Sequence, residues 1–237
     1  MPGTTISQAP GWTSVAPDFA VHPESDEVHV WRVRISAAAV DCDAILADEE
    51  QERAARFRLA DDRRQFAVTR ALLRTLLGRY LKQPPRSLMF RYSDFGKPLL
   101  DPSQNPAGIT FNVAHSGDRA LLAFGSWLDV GVDIEDLRIE RGVAELAEAI
   151  LTPAEHRRLL ALPEARRKAE FLQTWTRREA LAKGLGVGLS VVTGSSPPAM
   201  PDSAGWSICD IDAGEDYVAA VAARTGCARL RLLDHGA

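Results

Sequence analysis

Cysteine is scarce in this chain of 237 residues: Cys42, Cys209 and Cys227 are an odd set at wide spacing. That excludes a disulfide framework or a thiolate metal site as an organising device, and it fits a reducing compartment, expected here to be the cytoplasm. No apolar run approaches the ~18 residues of a membrane span, so no membrane partner is expected. Neither sign of charge dominates. Twenty-eight Lys and Arg against 32 Asp and Glu leave a formal net charge of −4, which argues against a nucleic-acid partner. Met1 to Glu27 lacks the basic start and apolar stretch of a signal peptide. Its Pro, Ser, Thr and Gly make residues 1–27 read as a flexible lead-in. The whole is 46% hydrophobic and 25% charged, the composition of an ordinary globular protein of one large domain or two small ones.

The periodicities run strand, helices, strands, then helices and strands again. Val28 to Ile35 alternates as a strand. Ile45 to Tyr80 is helical, with Asp61 and Asp62 marking a break. The second piece turns Phe66, Leu73, Leu76, Leu77 and Tyr80 toward a core before Pro84-Pro85 stops it. Short strands are expected over 88–92, 109–114, 120–124 and 129–135, and helices over about 142–150, 153–161 and 164–183. Thr152-Pro153-Ala154-Glu155 supplies a cap for the second of these helices. Ser195 to Ser203 reads as a loop, followed by strands over 206–212, 217–223 and 228–233. The segregated order favours an α+β fold, and the two halves of similar content meet near residue 130.

Chemistry concentrates in two segments. Gly131-Val132-Asp133-Ile134-Glu135 alternates with period two, so Asp133 and Glu135 share one strand face. By itself this is an ordinary strand with a solvated side. Trp175, Glu179 and Lys183 sit at i, i+4 and i+8 on one helical stripe. A surface Glu–Lys pair would explain two of them, at about 0.3–0.5 kcal/mol, but a Trp on the same stripe points it at protein. If Glu179 meets Asp133 and Glu135, three carboxylates converge. At about 5 Å and an effective dielectric of about 20, each pair repels by about 3 kcal/mol. Such a cluster calls for a cation, and oxygen ligands without His or Cys point to Mg²⁺. Lys183, one turn on, suits a phosphate on the same metal.

Three weaker candidates concern anions. Gly96-Lys97-Pro98 puts a Lys in a rigid turn, and a common surface turn explains it as well. Phe111 to Gly117 ends an apolar strand with His115, Ser116 and Gly117, where backbone N–H groups are free for a ligand; a structural histidine is as good an explanation. No nucleophile–His–acid set accompanies Ser116. Arg53, Arg56, Arg58, Arg63, Arg64, Arg70 and Arg74 are interleaved with acids and read mainly as a solvated helix face, from which one or two reach a phosphate.

Taken in order, Phe57 to Phe66, Gly96-Lys97-Pro98, Asn112 to Ser116, Gly131 to Glu135 and Trp175 to Lys183 resemble the surfactin-type 4′-phosphopantetheinyl transferases over residues 45–190. The resemblance implies two pseudo-symmetric α/β subdomains in one chain, over 28–128 and 129–237, with coenzyme A in the cleft between them. It implies transfer of the phosphopantetheine arm of coenzyme A to a serine of an apo acyl or peptidyl carrier protein by a monomer. Asp133, Glu135 and Glu179 would be the Mg²⁺ ligands, and Lys183 the pyrophosphate contact. His115 and Arg53 would reach the 3′-phosphate, with Ser116 beside them. Gly96, Lys97 and Pro98 would form the adenosine turn, and Glu179 is the candidate base. Arg178 stands where the family usually has Lys, and Ala114 where it has Ser or Thr. Arg178 lies about 100° off the Trp175 stripe, so exchange with Lys is expected to be nearly neutral for transfer. The competing readings are a catalytically silent coenzyme A or carrier-binding module, a Mg²⁺ phosphodiesterase and, more distantly, a nucleic-acid-binding role for the Arg-rich helix.

Overall fold

A computed structural model describes residues 7–8, 11–15, 22–139, 142–187, 204–224 and 229–235. The expected loop at 195–203 lies outside these residues. The elements run β1 (Ser7–Gln8), β2 (Thr13–Ser14), β3 (Glu27–Arg34), α1 (Cys42–Ile45), α2 (Asp48–Ala55), α3 (Ala60–Leu81), β4 (Phe90–Tyr92), β5 (Pro98–Leu100), β6 (Ile109–Ser116), β7 (Arg119–Ser126) and β8 (Val130–Asp136). There follow α4 (Val143–Ile150), α5 (Pro153–Leu160), α6 (Glu164–Leu185), β9 (Ser207–Ile211), β10 (Tyr217–Ala223) and β11 (Arg229–Asp234). None of the described helices is long and apolar enough to cross a membrane.

The α+β fold is built twice on one plan. In the first half β3 pairs antiparallel with β7, and β7 with β6. In the second, β8 pairs antiparallel with β10, and β10 with β9. Each half also carries a long helix, α3 or α6, of 22 residues. Strand alternation then sorts the side chains into layers. Trp31, Val33, Leu122 and Phe124 face α3, where Leu72, Leu73, Leu76, Leu77 and Tyr80 meet them. Val28, Val30, Leu121 and Ala123 face the other way, against Val132, Ile134, Ala219 and Val221 of the second sheet. The order is therefore helix, sheet, sheet, helix, with one core between α3 and the first sheet and another between the two sheets.

Two parts of the expected division differ. β11, inside the second half by sequence, pairs in parallel with β3 of the first sheet. β1 and β2 in turn pair in parallel with β11, so part of the lead-in is strand. Trp12 adds to this, its indole N–H donating to the Asp212 carbonyl at 2.5 Å. Backbone groups along a sheet edge need partners, and the edge of β11 supplies them to segments whose composition read as coil.

The Arg-rich segment departs from its solvated reading at two positions. Arg74 is 1% exposed and pairs with Glu50 at 2.5 Å. It also donates to the carbonyls of Pro85, Arg86 and Leu88. Arg70, nearly as buried, lies 3.4 Å from the other Glu50 oxygen. These contacts fasten α2 and the 84–88 connection onto α3. Asp61 and Asp62 stand in the first turn of α3, where they complement the helix dipole.

Arg178 is the other buried guanidinium, 3% exposed. It donates to the Ile150 carbonyl at the end of α4 and to both oxygens of Glu155 at 2.9 and 2.8 Å. Glu155 is also the capping-box residue of α5, accepting from the Thr152 N–H at 2.8 Å. One planar fork thus binds α4, α5 and α6 together, a structural role that a Lys ammonium does not reproduce. Arg178→Lys is expected to lower stability by about 1–3 kcal/mol, seen in chemical and thermal melts; an unchanged melt refutes that role.

Candidate active site

Asp133 and Glu135 lie on the face of β8 that α6 covers. They are 5% and 7% exposed, so the solvated-face reading fails. The cover is close because the facing residues are small. A Cβ on Gly131 would stand 1.9 Å from the Ala180 carbonyl oxygen and 2.4 Å from the Gly184 nitrogen. Neighbouring β10 offers Ala220 and Ala222 to the same helix. Trp175 packs at the far end of the stripe, against the α4–α5 cluster. Glu179 and Lys183 are thereby laid over the two β8 carboxylates.

The electrostatics follow from that burial. The Lys183 ammonium donates to Asp133 Oδ1 at 2.6 Å. Asp133 Oδ2 and Glu179 Oε1 are buried without a hydrogen-bond partner. Burial, with the Glu135 charge adding to it, pushes the Asp133 carboxyl up to about 6 against the pull of Lys183. Burial and then the Asp133 charge push Glu179 up to about 7. Glu135 accepts from the Ser116 hydroxyl at 3.1 Å, and that hydroxyl accepts in turn from the Asp136 N–H at 3.0 Å. Among the described residues no three His, Cys, Asp or Glu groups stand together as a ready-made metal cluster. The expected convergence is thus incomplete: the carboxylates couple electrostatically, and Lys183 supplies the neutralising charge. The donor set still fits Mg²⁺, being all oxygen and holding two buried carboxylate oxygens with no other partner.

The anion candidates divide between two clefts. His115, Ser116 and Gly117 line one of about 630 Å³, with Asp61, Asp62 and Gln65 from the start of α3 opposite. Desolvation and the Lys183 charge hold the His115 imidazole below its ordinary range. Gly96, Lys97, Pro98 and Lys183 line a second of about 230 Å³, walled by Phe95 and Phe111. Arg53 lines neither; its guanidinium lies 5.1 Å over the Phe66 ring. Ala114 packs into the core between the sheets. Ser116 spends its hydroxyl on holding Glu135. Asn112, within the Asn112 to Ser116 motif, joins β6 to β8: its side-chain oxygen accepts from the Val132 N–H at 3.0 Å. A polar residue inside an apolar strand was the signal available, because a buried amide needs a partner.

Both raised carboxyls make the folded protein hold protons that the unfolded chain releases. Stability of the metal-free protein therefore falls as pH rises from about 4 through about 7. Its melting temperature is expected to drop between about pH 5 and about pH 7.5, and Glu179→Gln should flatten that slope. Identical slopes in the two proteins would remove Glu179 from the coupled group.

Comparison with known proteins bears on the whole arrangement. The family model for the N-terminal part of 4′-phosphopantetheinyl transferases matches residues 32–126, and the superfamily model matches 129–233. The 4′-phosphopantetheinyl transferase HetI of Nostoc sp. is 33% identical over 208 residues, covering 84% of this chain and 88% of the relative. A putative 4′-phosphopantetheinyl transferase of Synechocystis sp. is 35% identical over 147 residues, 62% of this chain and 59% of its own. The 4′-phosphopantetheinyl transferase of Bacillus subtilis is 27% identical over 191 residues, 76% and 83% of the two chains. With both halves matched in order by family models and a relative 33% identical over most of both chains, the chain belongs to the 4′-phosphopantetheinyl transferase superfamily.

Proposed function

We propose that the chain transfers the 4′-phosphopantetheine arm of coenzyme A to a serine of an apo acyl or peptidyl carrier protein, releasing 3′,5′-ADP, as a Mg²⁺-dependent enzyme of the surfactin type. The observation that carries this reading is the pair of buried, unpartnered oxygens on Asp133 and Glu179 beside the Lys183 ammonium. Asp133, Glu135 and Glu179 would hold Mg²⁺, which when bound neutralises charge on the pyrophosphate. Lys183 presents a cation to a phosphate oxygen next to those carboxylates. Glu179 is the candidate to receive the serine proton. The serine Oγ–phosphorus bond forms as the bond from that phosphorus to 3′,5′-ADP breaks. Both halves of the cleft come from one chain, so a monomer suffices. The sparse, unpaired Cys42 and Cys209 suit work in the cytoplasm.

Intact mass of several apo carriers after incubation with the protein, coenzyme A and Mg²⁺ tests the reading. Addition of the arm to at least one is expected, and unmodified carriers throughout would overturn it in favour of a silent binding module. Glu179→Gln should lose transfer by about a hundredfold or more while still binding coenzyme A in calorimetry. Near wild-type transfer would leave Glu179 without a role.

His115, exposed at the wall of the larger cleft, is the candidate for the 3′-phosphate. His115→Ala should weaken coenzyme A by about tenfold or more, as expected for a hydrogen bond to a charged group, and dephospho-coenzyme A far less. Equal losses for the two ligands would take His115 out of that contact.

A further inference from the structure

Lys97 was expected to serve the ligand, yet its ammonium is already committed. It donates to the carbonyl of Lys183 at 2.7 Å and reaches that of Gly184 at 3.4 Å. These carbonyls belong to the last turn of α6, where helix geometry leaves oxygens without intrahelical donors and where a cation complements the dipole. The helix closes itself only in part: Gly186, in the left-handed region at φ 71°, turns its N–H back toward Ala182 and Lys183. The ammonium adds a partner from the other half of the molecule.

The turn that carries Lys97 is built to hold still. Its N–H donates to Ser93 Oγ at 3.1 Å, and its carbonyl accepts from the Ser93 N–H at 2.9 Å. Gly96 takes φ 76°, and Pro98 opens β5. The side chain stands between two pockets, one reaching Lys183 and one of about 160 Å³ reaching Asp129. Desolvation there draws the ammonium below its usual range, with Asp129 opposing. Two of its three donors face carbonyls.

We propose that Lys97 is a positioning residue for the transfer reaction: from the N-terminal half it holds the C-terminal end of α6, and with it Lys183, across the cleft. Lys183 is then fixed twice, its carbonyl by Lys97 and its ammonium by Asp133. Lys97 therefore acts through Lys183 and sets the rate of transfer. Selection for the 3′-phosphate lies elsewhere.

Lys97→Met keeps the stem and deletes the ammonium; Lys97→Arg keeps a cation. In the substrate-free protein, amide hydrogen exchange over residues 183–187 should quicken by about tenfold in Lys97→Met and return toward wild type in Lys97→Arg. With carrier and coenzyme A, kcat should fall by about tenfold in Lys97→Met and recover in part in Lys97→Arg. The ratio of coenzyme A to dephospho-coenzyme A affinity should stay at its wild-type value. Unchanged exchange overturns the proposal, and so does a collapse of that ratio, which would put the ammonium on the 3′-phosphate. If Lys97→Met does not fold, Lys97→Gln carries the same comparisons. Only the kcat comparison rests on the transferase reading. A wild-type chain that modifies no carrier would sink that reading, while the exchange contrast would still decide the contact.

Discussion

The close seat of α6 on β8 is the constraint from which the rest of the site follows. Gly131 and Gly184 remove the side chains that would hold helix and strand apart, and the Trp206 ring fills the space beside Gly184, where a Cβ would stand 2.5 Å from it. Backbone-to-backbone approach of this kind needs glycine for lack of volume, and the rotational freedom of glycine is secondary at Gly131. An ordinary helix-on-sheet distance would leave room for water between Glu179 and Asp133, and their coupling would be screened away. The two glycines thus set the dielectric of the site as well as its geometry.

A site of this kind is held against its own electrostatics. Asp133 is buried and Glu179 half-buried, each with a raised carboxyl and one buried, unpartnered oxygen, an arrangement that lowers stability near neutral pH. Packing around the site offsets the cost from outside. Val132 and Ile134 bury the opposite face of β8 in the inter-sheet core, and the Arg178 fork locks α4 and α5 onto α6. The repulsive cluster therefore persists because the apolar packing behind it over-determines where each carboxylate sits.

The repeated topology explains why the site lies where it does. Both halves place their first strand beside their last, and the two sheets meet along β6 and β8 through Asn112 and Ser116. Ser116 sits at that seam and also orients Glu135. Lys97 crosses the seam toward α6, and β11 crosses it in the opposite sense to join β3. The polar side chains gathered at the seam consequently come from both halves.

Much of this was legible before any coordinates. Period-two alternation located β3 and β8, because a strand with two different faces must alternate; helical patterning located α3 and α6, and a capping signature marked the start of α5. The stripe from Trp175 to Lys183 and the acids of β8 were named from spacing alone, since helical and strand geometry fix which residues share a face. Spacing could not say what covers a face. Whether Asp133 met water or α6 turned on Gly131 and Gly184, two residues 53 positions apart in number, whose smallness acquires meaning only when they touch. Arg74 looked like surface charge because composition does not reveal a buried carboxylate partner such as Glu50. Lys97 looked like a ligand contact because the acceptors it found were backbone carbonyls, and every residue carries one. Sequence by itself determined the elements, their faces and the chemistry each face offers. Only the tertiary structure decided which faces meet and which charges lose their water, because those depend on contacts between residues far apart along the chain.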